Sequence, residues 1–445
     1  MPEIEPLTKP EIRTEEQPWV TTAPNASGEK ATFKSLATCS FPLALAIFLG
    51  INLVSGFARP LKPLSPEELP FKATWECQRA KRFLADSQRQ APQTVLFGSS
   101  LMMIPTTCAE ADYKKTLIDP VVDPYSSRFA SLLNSKESKT QTAFNYALPG
   151  AMVSDHYFIE RALFSQTRKP QRVVLGITLR DFIDCGVDTP TATPAYIHYR
   201  NYLSEEALDE VLQKNLNFWQ KRNYFAERYL YLWGRHNEIQ KLATKPLQAT
   251  YDKLVSQLGI DTEGVLGTKV PAADNDSTTG GEETKNGGDK VDAIMAAQEV
   301  KPGNFVILPE MKLPWQDNTR EYKKRFAHKN EAVFKSEQAF LDDLLAYNSS
   351  LGIETTIVNM PLTESNMKLM PKGSYDEYKA MLIALKTRGA DVLDLNDSSF
   401  DLSCFRDTVH MNGRGGAKLL AAIASHINTN QDELAGRKNR YQKTN

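Results

Sequence analysis

Thr94-Val95-Leu96-Phe97-Gly98-Ser99-Ser100-Leu101 is a short apolar run closed by a glycine and followed by two serines. A run of this length bounded by glycine reads as a strand buried on both faces of a parallel sheet. Similar runs recur at Thr142 to Ala147, Arg172 to Thr178, Glu354 to Asn359 and Asp391 to Leu395, most of them preceded by helix-like stretches such as Glu76 to Ser87. Strands that alternate with helices predict an α/β fold on a five-stranded parallel sheet.

Outward from these runs the chain divides into pieces of different character. Residues 59–200 and 305–430 carry the strands, and residues 201–304 interrupt them. From Ser204 to Leu258 apolar residues such as Leu208, Val211 and Leu212 recur at helical spacing, which predicts a helical insertion. Pro271 to Lys290, within a loop placed at about 262–303, has no Val, Ile, Leu, Met or aromatic residue and lacks the means to pack. Residues 431–445 read as a polar tail.

The N-terminal end is different again. The first 34 residues hold six Glu, four Lys or Arg and five Pro, a composition that buries too little to offset the entropy of ordering, so residues 1–40 read as a disordered tail. Phe41 to Ala58, FPLALAIFLGINLVSGFA, lies in a stretch without charge between Lys34 and Arg59. About 20 apolar residues cross a ~30 Å hydrocarbon layer, so residues 41–58 are expected to form a single transmembrane anchor. A signal peptide cut after Gly56-Phe57-Ala58 and a buried core helix are the competing readings. Lys30 and Lys34 on one side balance Arg59, Lys62 and Lys72 on the other, so charge leaves the orientation open.

Composition narrows the function. Lys plus Arg total 53 against 54 Asp plus Glu, a net charge of -1, so there is no global basic field to hold nucleic acid. The five cysteines, at 39, 77, 108, 185 and 404, lack the paired close spacing of a zinc site, and His156, His198, His236, His328 and His426 lack ligand spacing. No metal and no cofactor is expected. Phe218 to His236 interleaves seven aromatics with Arg and Lys. It either packs over the α/β core, forms a wall that stacks on sugars, or lies on a membrane surface.

In an open α/β sheet functional groups gather beyond the carboxyl ends of the strands. The first strand delivers Gly98-Ser99-Ser100 there, at a strand-to-helix turn that exposes a serine and its backbone N–H. The same pattern also serves as an ordinary helix cap. The second delivers Gly150, where the backbone can approach a ligand, and the third Thr178, Arg180 and Asp181. After the fifth comes Asp407-Thr408-Val409-His410-Met411-Asn412-Gly413-Arg414-Gly415-Gly416. A carboxylate three residues before a histidine can hold one ring nitrogen while the other takes a proton from a serine.

The set Gly98-Ser99-Ser100-Leu101, Gly150, Gly176-Ile177-Thr178 and Asp407-x-x-His410, in that order, resembles the blocks of the SGNH (GDSL-type) hydrolase superfamily and brackets residues 94–420. Its first and last blocks, with the apolar anchor, resemble the membrane-tethered cell-envelope members, among them exopolysaccharide O-acetylation and teichoic-acid D-alanylation proteins. The resemblance implies a three-layer, flavodoxin-like fold with Ser100 as nucleophile, His410 as base, Asp407 as its partner, and the N–H groups of Ser100 and Gly150 in the oxyanion hole. Thr178 stands where the family's third block usually has an asparagine donor, and Thr178 or Arg180 is the expected substitute. In the implied fold Cys185 and Cys404 flank one pocket, and a disulfide between them is an expectation.

Together these readings describe a serine esterase or O-acyltransferase acting on acyl esters of cell-envelope or exported polysaccharide. The bulk of the chain is expected outside the cytoplasm, with a polytopic membrane O-acyltransferase as the partner the resemblance implies. A plain esterase or lipase is the rival among enzymes. A non-catalytic envelope scaffold or glycan-binding subunit is the rival outside them.

Overall fold

The computed structural model describes residues 40–58, 74–87, 91–133, 141–236, 239–240, 307–309 and 315–443. The chain forms two compact units, residues 1–58 and 59–445. The whole stretch expected as a flexible loop, and the N-terminal tail up to residue 39, lie outside the described residues.

All five apolar runs are strands: β1 (Thr94–Gly98), β2 (Ala143–Asn145), β3 (Arg172–Ile177), β4 (Glu354–Asn359) and β5 (Asp391–Asp394). They pair in parallel in the order β2-β1-β3-β4-β5. This is the flavodoxin-like strand order, whose switch point lies between β1 and β3. Along each strand side chains alternate between two apolar layers. Val95, Phe97, Val173, Leu175 and Ile357 join one, Leu96, Val174 and Val358 the other. Helix α1 (Ser40–Ala58) belongs to the first unit; in the second, the helices that matter most for the site are α2 (Ser100–Lys114), α3 (Val153–Leu163), α4 (Glu331–Leu351), α5 (Ser374–Thr387) and α6 (Gly413–Lys443). Helices α3, α4 and α5 cover the first layer, and α2 and α6 cover the second.

The described part of the insertion is helical, at Glu205–Asn215, Phe218–Tyr229 and Tyr231–Gly234, and residues 241–258 of the stretch expected to be helical lie outside the described residues. Its aromatic stretch does not pack inward as a whole. Tyr224 is buried, whereas Phe218, Trp219, Tyr229 and Trp233 are exposed. Helix α6 runs on to Lys443, through most of the segment read as a polar tail.

Residues 40–58 are helical, but among the described residues no helix is long and apolar enough to cross a membrane. Side chains are described for residues 42–56, a stretch of ~22 Å at 1.5 Å per residue. Within it Asn52 is buried and donates to the Phe48 carbonyl at 2.8 Å.

Candidate active site

Three strand ends converge on the site. Gly98 closes β1 beside Gly176 of β3, and a Cβ on Gly98 would lie 2.7 Å from the Gly176 carbonyl oxygen, so the chain turns sharply there only because no side chain is present. Ser99 is the extended residue before α2, and Ser100 is the first residue of that helix. The Ser100 N–H therefore belongs to the unpaired first turn of a helix, where negative charge is favoured.

The Ser100 Oγ lies 2.9 Å from His410 Nε2, and His410 Nδ1 lies 2.8 Å from Asp407 Oδ2. With the carboxylate facing Nδ1, that nitrogen carries the proton and Nε2 is left to accept the serine hydroxyl proton. The other Asp407 oxygen accepts the backbone N–H groups of Val409 at 2.8 Å and His410 at 2.7 Å, which closes the loop into one turn. Asp407 is buried. Burial alone would raise its pKa, but the hydrogen bond and charge of His410 and the two N–H donors outweigh it and hold the carboxyl below its ordinary value. A carboxylate so held stays ionised beside the imidazole across the neutral range.

The rest of the Asp407–Gly416 stretch fixes that loop. Val409 and Met411 are buried, one in each apolar layer. Asn412 donates to the Ser403 and Phe405 carbonyls and accepts the Gly415 N–H at 3.0 Å, capping α6. A Cβ on Gly416 would lie 2.0 Å from the Pro105 carbonyl oxygen of α2. That glycine lets the helix after the histidine rest directly on the backbone of the helix that begins with the serine, so the two halves of the site, 310 residues apart in sequence, meet.

Neither the Ser100 nor the Gly150 N–H takes part in a hydrogen bond among the described residues. Gly150 has a φ of +75°, which suits glycine. The two residues expected as a third oxyanion donor are placed otherwise. Thr178 is fully buried, and Asp181 Oδ2 accepts its N–H at 2.9 Å and lies 3.4 Å from its hydroxyl. Arg180 is buried and its guanidinium is taken up by the Gly150 and Ala151 carbonyls and by Asp181 and Asp184. The expected Cys185–Cys404 disulfide is absent, and both thiols are free. Cys404 is buried in the layer with Met411 and Leu420, whereas the Cys185 sulfur sits against the His328 carbonyl at 3.1 Å, so the two cysteines serve different neighbourhoods.

One wall of the site carries no sequence motif. The Gln316 N–H donates to the Arg406 carbonyl at 3.2 Å, Gln316 bridges to Asp407, and the Thr408 hydroxyl bonds Asn318. Residues 316–318 thus run alongside the Asp407 loop, an arrangement that only the long-range pairing reveals.

No group of three or more His, Cys, Asp or Glu among the described residues is arranged to hold a metal ion. No protein-family model and no curated protein matches the chain.

Proposed function

We propose that the chain is an acyl-serine enzyme of the SGNH type, an esterase or O-acyltransferase working on acyl esters of cell-envelope or exported polysaccharide. The observation that carries this reading is the continuous chain from Ser100 Oγ to His410 Nε2 at 2.9 Å and from His410 Nδ1 to Asp407 at 2.8 Å, at the carboxyl end of a parallel sheet. Ser100 attacks the acyl carbonyl as His410 Nε2 takes its proton, and Asp407 steadies the imidazolium that forms. The negative oxygen of the tetrahedral intermediate is received by the N–H groups of Ser100 and Gly150. His410 then returns its proton to the departing oxygen, which leaves the acyl group on Ser100. Water or a sugar hydroxyl, deprotonated by the same histidine, releases it.

The saccharide acceptor, the placement outside the cytoplasm, the anchor at residues 41–58 and a polytopic acyl-donor partner belong to the same proposal and rest on the resemblance of the motifs. Protease accessibility of the 59–445 unit in sealed vesicles checks the sidedness, and cleavage only from the cytoplasmic face would sink it.

The first test exposes the full chain to a fluorophosphonate probe and to p-nitrophenyl acetate, beside Ser100→Ala and His410→Ala. Labelling at Ser100 and ester turnover that disappear in both variants are the expected result. A folded wild-type protein that neither labels nor turns over the ester would overturn the reading.

A further inference from the structure

We infer that Arg180 is the positioning residue of the oxyanion site, holding the Gly150 turn in the shape that offers its N–H to the acyl group. The inference rests on the acyl-serine reading of Ser100 and adds to it the residue that keeps the second donor in place.

A guanidinium has five N–H donors in a fixed planar fork. Here four hydrogen bonds and one further ion-pair contact engage it. Nε meets Asp184 Oδ2 at 3.0 Å, Nη1 meets the Ala151 carbonyl at 2.8 Å and Asp181 Oδ1 at 3.0 Å, and Nη2 meets the Gly150 carbonyl at 2.9 Å and Asp184 Oδ2 at 2.9 Å. All three of its nitrogens are engaged within the fold. Arg180 therefore acts through the loop it holds, and two of its contacts go to successive carbonyls of that loop, which follows a different strand.

Those two contacts bear on the donor. Gly150 has a free choice of backbone angles, and a change in them would swing the peptide that carries its N–H. With the Gly150 and Ala151 carbonyls both tied to one rigid group, the turn keeps a single shape. The group itself is held firmly. Burial would lower the Arg180 pKa, but the Asp181 and Asp184 carboxylates outweigh it and keep the cation charged. Asp184 in turn receives Arg325 at 2.5 Å. Arg325 ends the helix Thr319–Arg325, which follows directly on the 316–318 segment beside the Asp407 loop. One ion-pair network thus ties the Gly150 turn to the wall next to the histidine.

Lysine keeps the charge that Asp181 and Asp184 require but offers a single nitrogen, which cannot hold two carbonyls and two carboxylates together. Arg180→Lys in the full chain is therefore expected to lower kcat for p-nitrophenyl acetate by ~10²-fold, with KM within about threefold of wild type and Ser100 labelling slowed in proportion. Asp184→Asn, which leaves both carbonyl contacts in place and loosens the brace, is expected to lower kcat by about five- to tenfold. A folded Arg180→Lys protein with wild-type kcat would overturn the clamp. Should that variant not fold, Asp184→Asn decides, and an unchanged kcat overturns the clamp in the same way. A wild-type protein that does not label at Ser100 overturns the acyl-serine reading instead, and the clamp falls with it, so the two failures are told apart by the wild-type arm.

Discussion

Among the described residues two Asp–His pairs lie one at each end of the sheet, and only one of them sits in a candidate active site. At the carboxyl end His410 Nδ1 meets Asp407 at 2.8 Å. At the amino end His426 Nε2 meets Asp391 at 2.6 Å, beside a groove of about 730 Å³ lined by Arg172, Glu354, Asp391 and Asn430. Distance favours the second pair. What separates them is the third group. The free ring nitrogen of His410 faces a serine hydroxyl on the first turn of a helix, whereas His426 spends Nε2 on Asp391, whose same oxygen also accepts the Asn430 amide at 3.2 Å and whose other oxygen takes the Thr356 hydroxyl at 2.7 Å. The first pair faces a hydroxyl whose proton it can take, and among the described residues no hydroxyl is bonded to the ring of the second. A short Asp–His contact therefore says little until the partner of the other nitrogen is known.

The sharpest way to break this contrast is to remove the third group. Ser100→Ala is expected to abolish fluorophosphonate labelling and bring ester turnover to background, while His426→Ala leaves both within about twofold of wild type. Turnover that depends on His426 would transfer the chemistry to the other end of the sheet. Replacing the carboxylates compares the pairs directly. Asp407→Asn is expected to cost ~10⁴-fold in kcat because the amide favours the wrong imidazole tautomer. Asp391→Asn is expected to leave kcat unchanged and to cost about 1–2 kcal/mol of stability through its three weakened hydrogen bonds, read as a lower denaturant midpoint.

A smaller effect tests how the halves of the first site are joined. Gly416→Ala adds a methyl where the Pro105 carbonyl oxygen would lie 2.0 Å away. In an exposed helix the change would stabilise by about 0.5–1 kcal/mol. Here overpacking is expected to cost about 1–3 kcal/mol and to lower kcat by displacing His410 from Ser100. A more stable and fully active variant would show that the helix contact does not set the site.

These contrasts also mark what was legible in the sequence. The central strands could be read because burial on both faces demands continuous apolar runs, as in β1 and β3, and all five runs pair as strands. Asp407 and His410 could be read because one turn spans them. The Asp391–His426 pair could not, since 35 residues separate the partners and nothing local signals their meeting. The same holds for Arg180. Its position after β3 suggests a donor to the substrate, but the Gly150 and Ala151 carbonyls, which reach it only in three dimensions, join Asp184 four residues on in engaging its guanidinium. The implied fold sets Cys185 and Cys404 on either side of one pocket, yet the path of each loop takes them to different neighbours.

The smallest effect separates the carboxylate of the site from buried carboxyls elsewhere. Asp407 is held below its ordinary pKa, whereas burial pushes Glu337 up to about 8, with the Ser154 N–H and hydroxyl only partly opposing it, and pushes Glu76 up to about 7. For an acid whose pKa is raised by folding, the stabilisation is complete below the unfolded value and disappears as pH rises through the folded value. Buried His156 and His198, pushed down by burial to about 3 and about 4, act in the opposite sense, but only below the ordinary histidine value of 6.5. Between pH 6.5 and 8 the two glutamates are therefore unopposed by these histidines, and the melting temperature is expected to fall by a few degrees as pH rises. Glu337→Gln cannot ionise and should flatten that slope, while Ser100 labelling over the same range keeps its wild-type pH profile because Asp407 stays charged throughout. An unchanged slope in Glu337→Gln would mean that Glu337 is ionised in the fold at neutral pH, with Ser154 satisfying it as a carboxylate.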